Sequence, residues 1–154
     1  MQLTDSREIA ADRQTVWAAL LDPAVLKICV PGCDSLDGTP EAGFEAVVIQ
    51  KVGPVKARFA GQVSLSDLDP PQSLRLAGEG KGGAAGFAKG AARVTLTPSE
   101  GGTLLAYEVE AHVGGKLAQL GSRIIDSFAK KMADEFFTRL QTHLAPPKPE
   151  EAVE

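Results

Sequence analysis

The chain has 154 residues, enough for a single domain that buries most of its apolar surface without disulfides or metals. Its 16 lysines and arginines against 20 aspartates and glutamates give a net charge of −4, and the last ten residues carry three of those acids and one of the bases, leaving a body too near balance for a nucleic-acid binder. No run of about 18 apolar residues exists to span a bilayer, and residues 1–9 lack the basic start and apolar core of a secretory signal, so a cytoplasmic domain with reduced thiols is expected.

Residues 2–9 are compatible with a strand. Asp12 can cap a short helix through Leu21, because Val16, Trp17 and Leu20 recur at helical spacing and Asp22-Pro23 stops it. A second short helix starts on Pro23 and reaches about Cys29, ahead of Pro31-Gly32. From Asp34 to Val113 the hydrophobic period is two. The expected strands are Ser35–Gly38, Phe44–Val52, Val55–Leu68, Ser73–Glu79, Phe87–Thr97 and Thr103–Val113.

Beyond Gly114-Gly115 the period changes. Leu117, Leu120, Ile124, Phe128, Met132, Phe136, Leu140 and Leu144 form one stripe, which predicts a single amphipathic helix of about 30 residues, roughly 45 Å long. Residues 1–144 therefore read as one domain, and 145–154 as a Pro-rich acidic disordered tail. One strand, two short helices, a run of hairpins and a long last helix imply an α+β helix-grip fold, a curved antiparallel sheet wrapped around that helix. A meander turns at alternate ends, so the turns at Val52–Val55, Lys81–Gly86 and Gly114–Lys116 should share one rim.

Alternation assigns an inner face of Val55, Ala57, Phe59, Gly61, Val63 and Leu65 in one strand, Ala88, Gly90, Ala92, Val94 and Leu96 in another, and Leu105, Tyr107, Val109, Ala111 and Val113 in the last. Many of these side chains near the rim are alanine or glycine. Either the helix approaches to fill the space, or a long apolar cavity opens at the rim for a ligand.

Other signals are weak in context. Cys29 and Cys33 are the only cysteines, and the two histidines, His112 and His143, belong to distant elements, so neither a zinc site nor a redox pair is expected and both thiols read as structural. Whether they ever form a disulfide stays open. Gly78–Gly83 (GEGKGG) satisfies the dinucleotide spacing G-x-G-x-x-G but precedes another period-two stretch, with no helix to receive a pyrophosphate. No histidine lies near a serine by any inferred neighbour relation, and no catalytic residue, metal or cofactor is assigned. Trp17 reads as packing the first helix onto the sheet edge.

Four motifs in order, Val30–Leu36 (VPGCDSL), Lys51–Phe59 (KVGPVKARF), Gly82–Gly90 (GGAAGFAKG) and Gly114–Arg123 (GGKLAQLGSR), resemble the carbon monoxide dehydrogenase G-subunit family of the START-like, Bet v 1-like (SRPBCC) superfamily over about residues 1–144. The resemblance implies the helix-grip fold and an accessory protein of a molybdenum hydroxylase, with roles in enzyme maturation, membrane recruitment or coupling to a quinone. Members with a membrane segment after a long linker differ from this chain, which stops at Glu154. Joined to the residue pattern, it gives a non-enzymatic protein binding a quinone or lipid, whose site comprises Val52, Pro54, Val55, Phe59 and Phe87 at the mouth, Tyr107 inside, and Leu117, Leu120, Gly121, Ile124 and Phe128 on the helix. Gly121 would let the helix pass close to ligand or strand. Lys51, Lys56, Arg58, Lys81, Lys89 and Lys116 would ring the apolar tip and suit an anionic lipid surface at the inner face of the membrane, or an acidic partner. An assembly factor without ligand, and a small lipid-binding or cyclase-like START protein, are the alternatives.

Overall fold

The computed structural model describes residues 1–144, so the expectation of a disordered tail at 145–154 lies outside the described residues. The first strand, β1 (Gln2–Ile9), leads into α1 (Arg13–Leu20), whose N-terminus is capped by Asp12 accepting from the Thr15 amide at 2.7 Å. Asp22 then does two things: it ends the first helical segment and caps α2 (Pro23–Cys29) through the Ala24 amide at 2.9 Å, with Pro23 at the position where a missing N–H costs nothing. Six strands follow: β2 (Cys33–Thr39), β3 (Gly43–Val52), β4 (Val55–Asp69), β5 (Ser73–Lys81), β6 (Phe87–Ser99) and β7 (Gly102–Gly114). All pairings are antiparallel, and the sheet order is β1-β7-β6-β5-β4-β3-β2, the curved α+β helix-grip arrangement expected from the sequence.

The last element differs from expectation. Instead of one helix of about 30 residues, the chain forms a single turn, α3 (Lys116–Gln119), and then α4 (Ser122–Leu144) of 23 residues, about 35 Å long. The stripe is unbroken in sequence, but Gly121 takes φ +88 between the two, a backbone state that glycine enters without cost and that no helix continues through.

Register fixes which side chains face α4. Opposed residues across β3 to β7 give two inner rows, Ala46–Gly61–Gly80–Ala88–Val113 and Phe44–Val63–Gly78–Gly90–Ala111. Large apolar residues lie on either side of these rows, and the core is accordingly in two parts. The larger part joins Ile9, Val16, Val25, Cys29, Leu96, Leu105 and Tyr107 to Phe137 and Leu140 of α4, with Trp17 packed against it. The smaller one joins Val52, Phe59, Ala85 and Leu117, flanked by Ile125 and Phe128.

Polar contacts hold α4 to the first strand. Arg7, on the inner face of β1, donates to Asp134 and to the Tyr107 hydroxyl, and lies 5.1 Å from the centre of the Phe137 ring. Burial disfavours the Arg7 charge, but its hydrogen bonds to Asp134 and Tyr107 outweigh that and hold the guanidinium above its ordinary pKa. Gln141 donates to the Glu8 carbonyl and accepts from the Ala10 amide, so a side-chain amide completes backbone groups at the end of this edge strand.

Two outcomes follow. Leu140→Ala, at a fully buried position, should cost about 2–5 kcal/mol in denaturant unfolding, against less than about 1 kcal/mol for Ile124→Ala on the part-exposed end of the same helix. The Asp12 carboxylate, held below its ordinary pKa by its bonds to Thr15, contributes stability that is complete above the ordinary aspartate range and is lost as pH falls through the depressed value. Asp12→Ala should therefore lower the melting temperature at neutral pH and approach the parent as the pH falls through that depressed value.

Candidate functional site

The turn between β3 and β4 is a two-residue hairpin in which Val52 pairs with Val55 and Gly53, at φ +57, takes the first central position. Ala60 is the first β4 residue paired with β5, opposite Lys81, so the hairpin projects five residues beyond the β5–β6 connection. That connection, Gly82–Gly86, folds its single 3₁₀ turn, Gly83–Ala85, back to cover the overhang. Space there is tight: a Cβ at Gly82 would meet the Phe59 ring at 2.5 Å, and one at Gly115 would meet the Gly86 backbone at 2.6 Å. The three turns expected to share a rim do converge, through Val52, Phe59, Ala85 and Leu117.

Of the residues assigned to a ligand site, Val52, Phe59 and Leu117 are buried together, with Val55, Leu120 and Phe128 packed against them. Ile124 is 38% exposed and touches the hairpin tip, its Cγ2 at 3.5 Å from the Cβ position of Gly53. Pro54 is an exposed tip residue. Two placements require correction, those of Gly121 and Phe87, and one is made more specific, that of Tyr107. Gly121 does not let α4 approach a strand: its Cβ position meets nothing within 4 Å, and its function is the left-handed break before α4. Phe87 pairs with Lys81 and Gly114 in an outer row and lays its ring over Gly114, on the face away from α4. Tyr107 belongs to the larger cluster, stacked on Phe137 at 5.1 Å and held by Arg7, apart from the rim.

The cations are likewise dispersed. Lys51 and Lys56 oppose one another across the hairpin, and Lys116 opens α3 at an exposed position. Arg58 is engaged by Asp34 at 3.0 Å and Lys81 by Glu79 at 3.5 Å, while Lys89 stands between Glu79 and His112 on the outer face.

What sequence reading missed is the disposition of the small inner rows. At Gly61, Gly78, Gly80 and Gly90 the atoms nearest a Cβ position belong to neighbouring strands, never to α4; at Gly80 the one contact within 4 Å is Phe59 Cβ at 3.9 Å. The adjoining Val63, Leu65, Leu76, Ala92 and Ala111 are only half-buried and join neither cluster. Alternation named the small residues. Only the register set them side by side across five strands.

Cys29 is buried in the larger cluster, and the Cys33 thiol donates to the Ser35 carbonyl at 3.3 Å; both are free. Burial pushes both thiols above their ordinary pKa, the reverse of an activated thiolate. Among the described residues no group of three or more His, Cys, Asp or Glu side chains could hold a metal ion, and no helix is long and apolar enough to cross a membrane.

A sheet gripping a C-terminal helix, with a hairpin rim at one end, defines the helix-grip class of α+β proteins. The chain belongs to the CoxG family, that of the carbon monoxide dehydrogenase G subunit, whose model matches residues 6–145. A conserved protein from Geobacillus kaustophilus is 32% identical over 94% of this chain and 95% of its own, with a TM-score of 0.87. Proteins from Rhodobacter sphaeroides (23% identity, 94% and 92% coverage, TM-score 0.62) and Mesorhizobium loti (19%, 92% and 95%, TM-score 0.66) share the fold. A search of the curated proteins found no match. Membership ties the chain to carbon monoxide dehydrogenase as an associated subunit.

The thiols give a direct check. Iodoacetamide at neutral pH should leave Cys29 unmodified in the native protein and label it only after denaturation, as read by intact-mass and peptide mass spectrometry; rapid native labelling of Cys29 would contradict its burial.

Proposed function

We propose that this protein is a non-enzymatic accessory subunit of a molybdenum hydroxylase of the carbon monoxide dehydrogenase type, and that it holds a long apolar ligand, an isoprenoid quinone or a lipid, between the sheet and α4. The carrying observation is the pair of inner rows rich in glycine and alanine, where the atoms nearest Gly61, Gly78, Gly80 and Gly90 belong to neighbouring strands, with half-buried Leu65, Leu76 and Ala92 beside them. Such a lining is apolar and nearly featureless. It rewards burial of hydrocarbon at about 25 cal/mol per Å² before association costs, and it offers no set of converging acids, bases or nucleophiles for chemistry.

Ligand would enter at the rim, between the exposed Pro54 tip and the part-exposed Ile124, where Val55, Leu120 and Phe128 flank the buried cluster of Val52, Phe59 and Leu117. Lys51, Lys56 and Lys116, all exposed around that tip, give it the sign needed to meet an anionic lipid surface, which supports a cytoplasmic protein that visits the membrane to exchange its ligand and couples the enzyme's electrons to a quinone.

Gly80→Leu tests the pocket better than any change at Gly121, because its Cβ position has room in the inner row and its backbone is ordinary. Organic extraction of the purified wild-type protein, followed by mass spectrometry, should return an apolar compound, and Gly80→Leu should return at least about tenfold less while keeping its melting temperature within a few degrees. An empty wild-type extract would replace the carrier by an assembly factor with a filled interior. Undiminished extraction from Gly80→Leu would move the ligand elsewhere.

A further inference from the structure

The face of the sheet turned away from α4 carries its own organised relief. Outer-face pairings from β2 to β7 align Asp37, Glu45, Gln62, Glu79, Lys89 and His112 in one row, directly opposed strand to strand. The neighbouring row is short: Ser64, Ala77 and Ala91, closed at β7 by Glu110. On the other side Val47 and Ala60 are short as well. The long polar row is thus a ridge between two troughs, of about 870 Å³ over Ser64, Ala77 and Ala91 and about 500 Å³ over Val47 and Ala60, and Asp37, Glu45, Gln62 and Glu79 line both.

The charge of this ridge is uneven. Asp37 and Glu45 face each other on adjacent strands, an arrangement that repels, and among the described residues neither meets a cation within ion-pair distance. Glu79 shares Lys81 at 3.5 Å and Glu110 shares His112 at 3.6 Å. Four carboxylates line the larger trough against Lys89 and His112. This sign repels an anionic bilayer or a nucleic acid, so the complementary occupant is a cationic protein segment.

Dimensions narrow the occupant further. Neighbouring strands are about 4.8 Å apart, so Asp37, Glu45 and Glu79 span about 14 Å across the strands. Side chains three or four residues apart on a helix are about 5–6 Å apart, and a helix with its side chains is about 10–12 Å across. The next long outer row, Arg75, Arg93 and Glu108, lies four residues along the strands from the ridge, about 13 Å away. A helix lying in the larger trough would place one row of basic side chains against the ridge and turn an uncharged or acidic side towards Arg75 and Arg93.

We infer that the uncovered sheet face is a protein-docking surface whose trough receives a lysine- or arginine-bearing helix of a partner protein, the charges meeting Asp37, Glu45 and Glu79. This surface lies on the opposite side of the sheet from the proposed ligand, so the two can be occupied together.

The test is an amide NMR titration of the whole protein at low ionic strength with an alanine-based helical peptide carrying lysines at every fourth position, and with the same peptide carrying glutamates instead. The lysine peptide should shift amides of Asp37, Glu45, Ser64, Ala77, Glu79 and Ala91 and weaken steeply with salt, while the glutamate peptide should not bind. Glu45→Lys combined with Glu79→Lys should weaken binding by about tenfold or more, and Lys89→Glu should tighten it. All three positions are exposed, so the variants should keep the parent amide spectrum elsewhere. Absence of shifts, shifts centred on another acidic region, or an unchanged affinity of the double variant would overturn the inference.

Discussion

The packing of Phe137 and Leu140 against Leu96, Leu105 and Tyr107 is the contact on which the remaining architecture depends. It attaches α4 to the sheet through its C-terminal half alone, reinforced by Arg7 with Asp134 and by Gln141 with the edge of β1. These are the two buried residues of the helix. The N-terminal half reaches the rim cluster through Ile125 and Phe128, and the rows rich in glycine and alanine lie between the two attachments.

That division also explains the break at Gly121. A continuous helix from Lys116 would carry Leu117 and Ile125 in one rigid line, and the rim needs them in different directions: Leu117 down into the cluster with Val52, Phe59 and Ala85, and Ile125 from the separate axis of α4. The left-handed glycine supplies the change of direction at a place where a side chain would meet strain but no neighbour.

Opposite faces of one sheet are thereby suited to different occupants. The inner rows are apolar and small; the outer ridge is polar and long, with its acids concentrated towards β2 and β3. Because alternate residues of each strand serve alternate faces, Gly78 and Gly80 set the inner space while Glu79, between them in sequence, stands on the ridge. CoxG membership, with the carbon monoxide dehydrogenase-associated role it suggests, gives the outer face a setting.

Local chemistry was fully legible in the sequence: the Asp12 cap, Pro23 at a helix start, the period-two strands and the glycine turns all act over a few residues, and four motifs in order were enough to place the family. Other features depended on parts of the chain far apart in sequence. An unbroken apolar stripe gave no sign that Gly121 would divide the helix, because periodicity records which face is apolar and not whether its two ends must point to different neighbours. Phe87 and Gly121 were misplaced for the same reason. Cross-strand register, fixed only when seven strands pair, decided which face Phe87 occupies, that Tyr107 lies under Arg7, that glycines from three strands share the inner face, and that four carboxylates line one trough on the outer face.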